Sequence, residues 1–335
     1  MDKITHCPST LAPEHIGYSP LALKRLFDKQ KVSHIIPYHH PDENPEDAIL
    51  FDNNLKRTAL SGSHRKYSMN IQDGLLKLAD GQRKSHYILK VISERTPNHQ
   101  EYAANEHITM QLAEQVFKIE TTPNGLCFFE GGEMSYFVRR FDIAGKENKF
   151  RAEDFATLAG VSPANAGLTY KYDHYSYEDM ADMIKDYIPA WQVEVLKFFR
   201  LILFNFLFSN GDAHLKKFSI IETKDGDFRL APAYSLLNTR IHGSEVEFAL
   251  ERGLFKENNR KLYKGGAWAI GATFRIFGLR IGLPEKIIEK ELRFFMSWHP
   301  DIERLVNQSF LSEETRKLYF AQYRLRRRRL IDMEL

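Results

Sequence analysis

The chain has 335 residues, 43% of them hydrophobic and 13% aromatic, which is material for two domains or one large two-lobed one and excludes a disordered polypeptide. Its 47 basic residues nearly balance 44 acidic ones, giving a formal charge of +3, so no global field singles out nucleic acid as partner. The only cysteines, Cys7 and Cys127, are far apart with no secretory leader before them, which argues against a disulfide framework and for a reducing cytoplasm.

Residues 1–58 carry Pro8, Pro13, Pro20, Pro37, Pro41 and Pro45, which interrupt long regular elements. "PLALKRLF", Pro20 to Phe27, is the one short helix expected there, and "HPDENPEDA" reads as an acidic loop. His39 and His40 lack a CxxC or HExxH companion, so they predict a polar loop rather than a zinc site. "KYSMNIQD" and "HYILKVI", on either side of the turn-rich "DGQRKS", predict an antiparallel strand pair. "EYAANEHITMQLAEQV" places Ile108, Leu112 and Val116 at helical spacing, and "GLCFFE" and "MSYFVRRFD" predict two more strands. A lobe of sheet plus one helix, residues 1–142, is therefore expected before a mainly helical lobe, residues 143–335.

In the second lobe the expected helices are "YEDMADMIKDYI", the apolar stretch 191–208, "PEKIIEKELRFFMS" and a terminal helix over about 313–330. "FSIIET" and "FRLAPA" predict two short strands across the turn "KDGD". The stretch 191–208 is long enough for a bilayer, but Glu194, Lys197 and Arg200 predict a core helix wrapped by protein. The run "YRLRRRRL", Tyr323 to Leu330, predicts a solvated basic face; a phosphate grip is the other reading.

Four places carry candidate chemistry. "LSGSHRK", Leu60 to Lys66, is an ordinary hairpin turn or an anion nest of backbone N–H groups reinforced by Arg65 and Lys66. Lys90, inside a strand, either snorkels from an edge or pairs with Glu106 to face nucleotide phosphates. "NGDAH", Asn210 to His214, is either a capped turn or the loop of a proton-accepting Asp212. "LAPAYSLLNT" places Tyr234 and Ser235 after a strand and says little by itself.

Together, "LSGSHRK", "YILK", "NEHITMQLAEQ", "VRRFD", "AEDFATLAG", "NGDAHLKKFSI" and "LAPAYSLLNT" resemble, in this order, the HipA family of bacterial serine/threonine kinase toxins. The opening "CPSTLAPEHIGYSPLALKRLF" is similar to the shorter HipT branch, which lacks a small N-terminal subdomain. The resemblance implies an α+β, two-lobed protein-kinase-like fold with a sheet-rich N-lobe and a mainly helical C-lobe. It implies ATP bound between the lobes, Mg2+ beside it, and a bacterial protein substrate such as an aminoacyl-tRNA synthetase. A HipB-like helix-turn-helix antitoxin and a HipS-like small protein are the implied partners, with DNA reached only through the antitoxin and no membrane.

By position, the resemblance assigns Ser61, Gly62, Ser63, His64, Arg65 and Lys66 to a phosphate loop, Lys90 to the phosphates with Glu106 as its pair, and Arg139, Arg140 and Phe141 to the adenine hinge. Asp212 takes the role of catalytic base, and His214, Lys216, Lys217, Tyr234 and Ser235 border the triphosphate. The family's regulatory loop serine is Ala59 here, which excludes self-phosphorylation at that position and leaves Ser61 or Ser63 as substitutes. Where the family holds metal with Asn and Asp, this chain has Lys217 and Ser235, and an ammonium cannot ligate a cation. Two functions therefore stand side by side: a protein kinase, and a catalytically inactive kinase-fold binding module of a toxin–antitoxin complex.

Overall fold

The computed structural model describes residues 4–57, 65–81, 84–93, 96, 98–144, 148–257 and 270–331. They group into two compact units: residues 1–112, 121–149 and 301–316 in the first, and 113–120, 150–300 and 317–335 in the second.

The first unit is built on a five-stranded antiparallel sheet of β1 (Arg65–Gln72), β2 (Leu75–Leu78), β3 (Tyr87–Val91), β4 (Asn124–Phe128) and β5 (Met134–Arg139), in the order β2-β1-β3-β5-β4. The strand pair predicted from "KYSMNIQD" and "HYILKVI" forms, with Lys66 opposite Lys90. Between them lies a strand the sequence reading passed over. β2 folds back on β1 at Asp73-Gly74, whose φ angles of 54° and 73° make the left-handed two-residue turn that Asp-Gly favours.

Side chains alternate across each strand, so the two sheet faces differ. Tyr67, Met69, Tyr87, Leu89, Val91 and Phe137 share one face with Phe27 of α1 (Pro20–Phe27) and Phe51 of α2 (Pro45–Arg57) in a single apolar core. Helix α1 has the predicted bounds because Ser19 caps its first turn, Pro20 opens it and Asp28 ends it in the left-handed conformation. Helix α2 corrects the loop expected from "PEDA". Pro45 occupies the first helical position, where a missing N–H costs nothing, and the Asn44 side chain accepts from the Glu46 and Asp47 amides. Helix α3 (His99–Gln115) meets the other face of the sheet through Glu106 and Lys90.

In the second unit the aromatic helix α7 (Trp191–Leu207) follows α4 (Phe155–Leu158), α5 (Pro163–Ala166) and α6 (Tyr177–Tyr187). It is a core helix, as its charges predicted: Glu194 is buried, accepts from the Leu230 amide and pairs with Lys197. Among the described residues no helix is long and apolar enough to cross a membrane. After the short antiparallel pair β6 (Ile143–Ala144) and β7 (Asn148–Lys149) in the first unit, a small sheet in the second, β10-β9-β8, joins the predicted strands β9 (Ser219–Glu222) and β10 (Phe228–Leu230) to the unforeseen β8 (Ala152–Asp154). Helices α8 (Ile270–Arg280) and α9 (Glu285–Met296) complete the helical part with residues 317–331 of α11 (Glu313–Ile331), whereas residues 301–308 of α10 (Pro300–Gln308) belong to the first unit.

The arginine run of α11 is not simply a solvated face. Arg326 is buried; its guanidinium contacts Glu247 Oε1 at 2.7 Å and Ser209 Oγ at 3.1 Å and lies over the Phe206 ring.

Candidate functional site

In the first unit, register decides which side chains meet. Lys66 on β1 and Tyr136 on β5 both stand opposite Lys90 on the central strand β3, so the three form one row on one face. Lys90 is not at an edge. Its ammonium pairs with Glu106 of α3 and sits 5.2 Å from the centre of the Tyr136 ring, and only about a tenth of either charged side chain is exposed. Burial, reinforced by the Glu106 charge, pushes the Tyr136 hydroxyl far above its ordinary pKa, so this ring supplies a π-face and a neutral hydroxyl beside the ammonium.

Arg139 is turned to the opposite face. It stands opposite Tyr87, and its guanidinium makes two 2.8 Å bonds to the Asp28 carboxylate and a third to the Arg25 carbonyl at the end of α1. Arg140 binds the Asp142 carboxylate through Nε at 2.9 Å and Nη2 at 2.6 Å, and Phe141 lies in the turn between them. Arg65 pairs with Asp42 at 3.0 Å. Residues Ser61, Gly62, Ser63 and His64, with Ala59, lie outside the described residues.

In the second unit, α7 delivers the chain into a tight loop at Ser209–Asp212. Asn210 bonds back to Asn205, and the Gly211 amide donates to Thr239 Oγ1. Glycine is required at 211 because a β-carbon there would lie 2.4 Å from the Val246 carbonyl oxygen. The loop holds the Asp212 carboxylate between three groups. Tyr172 donates to Oδ1 at 2.8 Å, Lys217 Nζ lies 3.2 Å from Oδ2, and His214 Nε2 is 3.7 Å from Oδ1.

Burial acts to raise the Asp212 pKa, but the Lys217 ammonium and the Tyr172 hydrogen bond outweigh it and hold the carboxyl below its ordinary value. Burial pushes the His214 imidazole down to about 3 against the pull of Asp212, so His214 is neutral at physiological pH. Its Nδ1 accepts from the Lys216 amide at 3.2 Å, which caps the short 3-10 turn Leu215–Lys217. That turn gives the paired lysines different directions. Lys216 reaches Asp154 at 2.9 Å while Lys217 reaches Asp212.

Tyr234 shares a 2.7 Å hydrogen bond with Ser219 and donates to the Lys216 carbonyl at 3.3 Å, so it ties the turn to the start of β9. Ser235 follows, buried, with a left-handed φ of 57°. The structure thus gathers Asp212, His214 and Lys217 into one cluster and places Lys216 and Tyr234 behind it. Sequence reasoning missed Tyr172 and Lys171. They lie in "TYKYDHY", 40 residues before Asp212, and no local pattern links the two stretches.

A magnesium ion needs several oxygen ligands in near-octahedral geometry. The donor set around Asp212 does not fit one: both carboxylate oxygens are engaged, Oδ1 by the Tyr172 hydroxyl and Oδ2 by the Lys217 ammonium. Among the described residues no group of three or more His, Cys, Asp or Glu side chains is placed to hold a metal.

Comparison with known proteins gives the family and the fold. The HipA-like C-terminal domain matches residues 58–297. A protein of Haemophilus influenzae named "Putative kinase" is 26% identical over 325 residues, 92% of this chain and 91% of its own length. "Putative kinase Y4mE" of Sinorhizobium fredii is 28% identical over 209 residues, 59% of this chain and 46% of that protein. Among solved structures, HipA of Shewanella oneidensis MR-1, in complex with HipB and operator DNA, superposes with a TM-score of 0.64 at 18% identity. The match covers 86% of this chain and 70% of that one. The proinflammatory kinase CtkA of Helicobacter pylori gives a TM-score of 0.51 at 12% identity, over 82% of this chain and 92% of that one. The fold is accordingly protein-kinase-like, with a sheet-rich unit and a mainly helical unit. With the domain match spanning most of its length, the chain belongs to the HipA-like C-terminal domain family.

Proposed function

We propose that the chain is a protein kinase of the HipA type, which binds ATP and transfers its terminal phosphoryl group to a serine or threonine of another protein. The observation that carries this reading is the buried Lys90–Glu106 pair, an ammonium fixed by a helix glutamate on the central strand, as phosphate-positioning lysines are. In this reading Lys90 and Lys66 meet the phosphates, with Ser61 to Lys66 as the phosphate loop. Asp212, kept ionised by Lys217 and Tyr172, accepts the proton of the attacking hydroxyl. The resemblance of the N-terminal stretch to the HipT branch supports a cytoplasmic toxin kinase that works with a HipS-like small protein. The likeness to a HipA held in a HipB–DNA complex supports a HipB-like antitoxin as partner. An aminoacyl-tRNA synthetase is the substrate class the resemblance suggests.

The test is a labelled-ATP transfer assay on the chain and its Asp212→Asn variant. Transfer by the parent that vanishes in the variant supports the kinase; equal signals in both refute it. A second reading, a binding module that no longer transfers phosphate, is favoured by one observation: Lys217 already occupies the Asp212 carboxylate. Nucleotide binding without transfer, with transfer restored in a Lys217→Asn/Ser235→Asp variant, would establish that second reading.

A further inference from the structure

We propose that Lys217 does the charge-neutralising work of a divalent cation, so that the Asp212 cluster takes the polyphosphate of a nucleoside triphosphate without magnesium. The inference rests on the nucleotide-binding reading above and goes beyond it.

Its basis is the arrangement of charge in the second unit. Lys217 Nζ lies 3.2 Å from Asp212 Oδ2, the oxygen that Tyr172 leaves available. A metal ion approaching that oxygen would meet a fixed ammonium a few ångströms away, and like charges at such range repel strongly in a partly buried site. A second lysine is placed by the backbone. The Leu215 amide donates to the Lys171 carbonyl at 3.2 Å, which anchors Lys171 beside the turn carrying Lys216 and Lys217. Lys216 completes the set through Asp154.

Three ammonium groups thus accompany two carboxylates, while the imidazole among them, His214, is neutral. The surplus is positive, as an anion site requires and a cation site does not. Each lysine is fixed by a different contact: Lys217 by Asp212, Lys216 by Asp154, and Lys171 over the Tyr172 ring at 4.9 Å. Fixed ammonium groups do not have to be reordered when a polyanion arrives, which is how a preorganised site gains over mobile surface lysines.

The experiment is equilibrium binding of ATP to the full chain by calorimetry, once in excess magnesium and once in EDTA, with inorganic tripolyphosphate as a competitor. The expected result is a Kd that differs by less than about threefold between the two conditions, with tripolyphosphate displacing ATP in both. Lys217→Asn should weaken binding in EDTA by about tenfold or more and make it magnesium-dependent, whereas Lys217→Arg should keep the metal-free binding. Lys217 is about a fifth exposed, so both variants are expected to fold, and a circular-dichroism melt checks this. ATP binding by the parent that needs magnesium overturns the proposal and leaves the kinase reading standing. ATP binding in neither condition overturns both.

Discussion

Lys217 Nζ stands 3.2 Å from Asp212 Oδ2 while the Tyr172 hydroxyl stands 2.8 Å from Oδ1. The same carboxylate is therefore steadied from both sides, by a cation on one oxygen and a neutral donor on the other. Both contacts favour the ionised form of Asp212, and the two can be separated by substitution.

Tyr172→Phe removes one hydrogen bond to the anion and leaves the ring that meets His214. The lost bond favours the ionised form, so the Asp212 pKa should rise. A base works only when deprotonated, so the acid limb of the phosphoryl-transfer rate should move to higher pH by the same amount. A pH–rate profile of parent and variant measures it; an unmoved limb would mean that Asp212 is not the group that titrates.

The Lys90–Glu106 pair lends itself to a double-mutant cycle. Each side chain is about one-tenth exposed, so removing one partner leaves a buried charge and should cost about 3–5 kcal/mol of stability. Lys90→Met with Glu106→Leu removes both charges and should recover most of that loss. Urea unfolding of the two single variants and the double one gives the answer. A double variant as unstable as the sum of the singles would show that the two groups do not pair in solution.

What the sequence made legible divides along the range of the interaction. Tyr87–Val91 and Trp191–Leu207 are set by their own apolar pattern, and Pro20–Phe27 by its own cap, so each was readable where it stands. Pro45–Arg57 was missed because a proline that opens a helix looks in sequence like one that breaks it. Leu75–Leu78 was missed because two Asp-Gly pairs compete for one hairpin, and tertiary pairing selects Asp73-Gly74. Lys90, Glu106 and Asp212 were visible through short motifs. Tyr172 and Arg326 were not, since their partners lie 40 and 117 residues away.

Arg326 separates a structural arginine from a solvated one. Arg326→Ala should lower the unfolding free energy by about 3 kcal/mol, because it strips Glu247 and Ser209 of a buried partner. Arg328→Ala, two residues on and exposed, should stay within about 0.5 kcal/mol of the parent. Denaturant midpoints measured on the same day compare them, and equal midpoints would return the whole run to the solvated face that its composition suggested.

Gly211 tests how tightly the Asp212 loop is set. In Gly211→Ala the new methyl would lie 2.4 Å from the Val246 carbonyl oxygen and 3.1 Å from Thr239 Oγ1, and a backbone carbonyl cannot rotate away as a side chain can. Overpacking of this kind costs about 1–3 kcal/mol, and relief requires the Ser209–Asp212 loop to move. Melting temperature and ATP transfer should therefore both fall, with transfer falling further than the loss of folded protein explains.

Two neutral histidines make the fold sensitive to mild acid. Burial pushes His107 down to about 4 and His214 to about 3, from the ordinary imidazole value of 6.5. His107 donates through Nε2 to the Ser9 carbonyl, so its buried Nδ1 is the atom a proton would have to reach. Below pH 6.5 the unfolded chain takes up protons that the folded chain refuses, so stability is complete above that value and falls as the pH drops toward 4. For His107 the loss by pH 4 is about 3 kcal/mol, at 1.36 kcal/mol per pH unit. His107→Gln can keep the Ser9 bond without an ionisable ring, so its urea midpoint should fall less between pH 7 and pH 4 than that of the parent. Parallel decline of the two would place the acid sensitivity elsewhere.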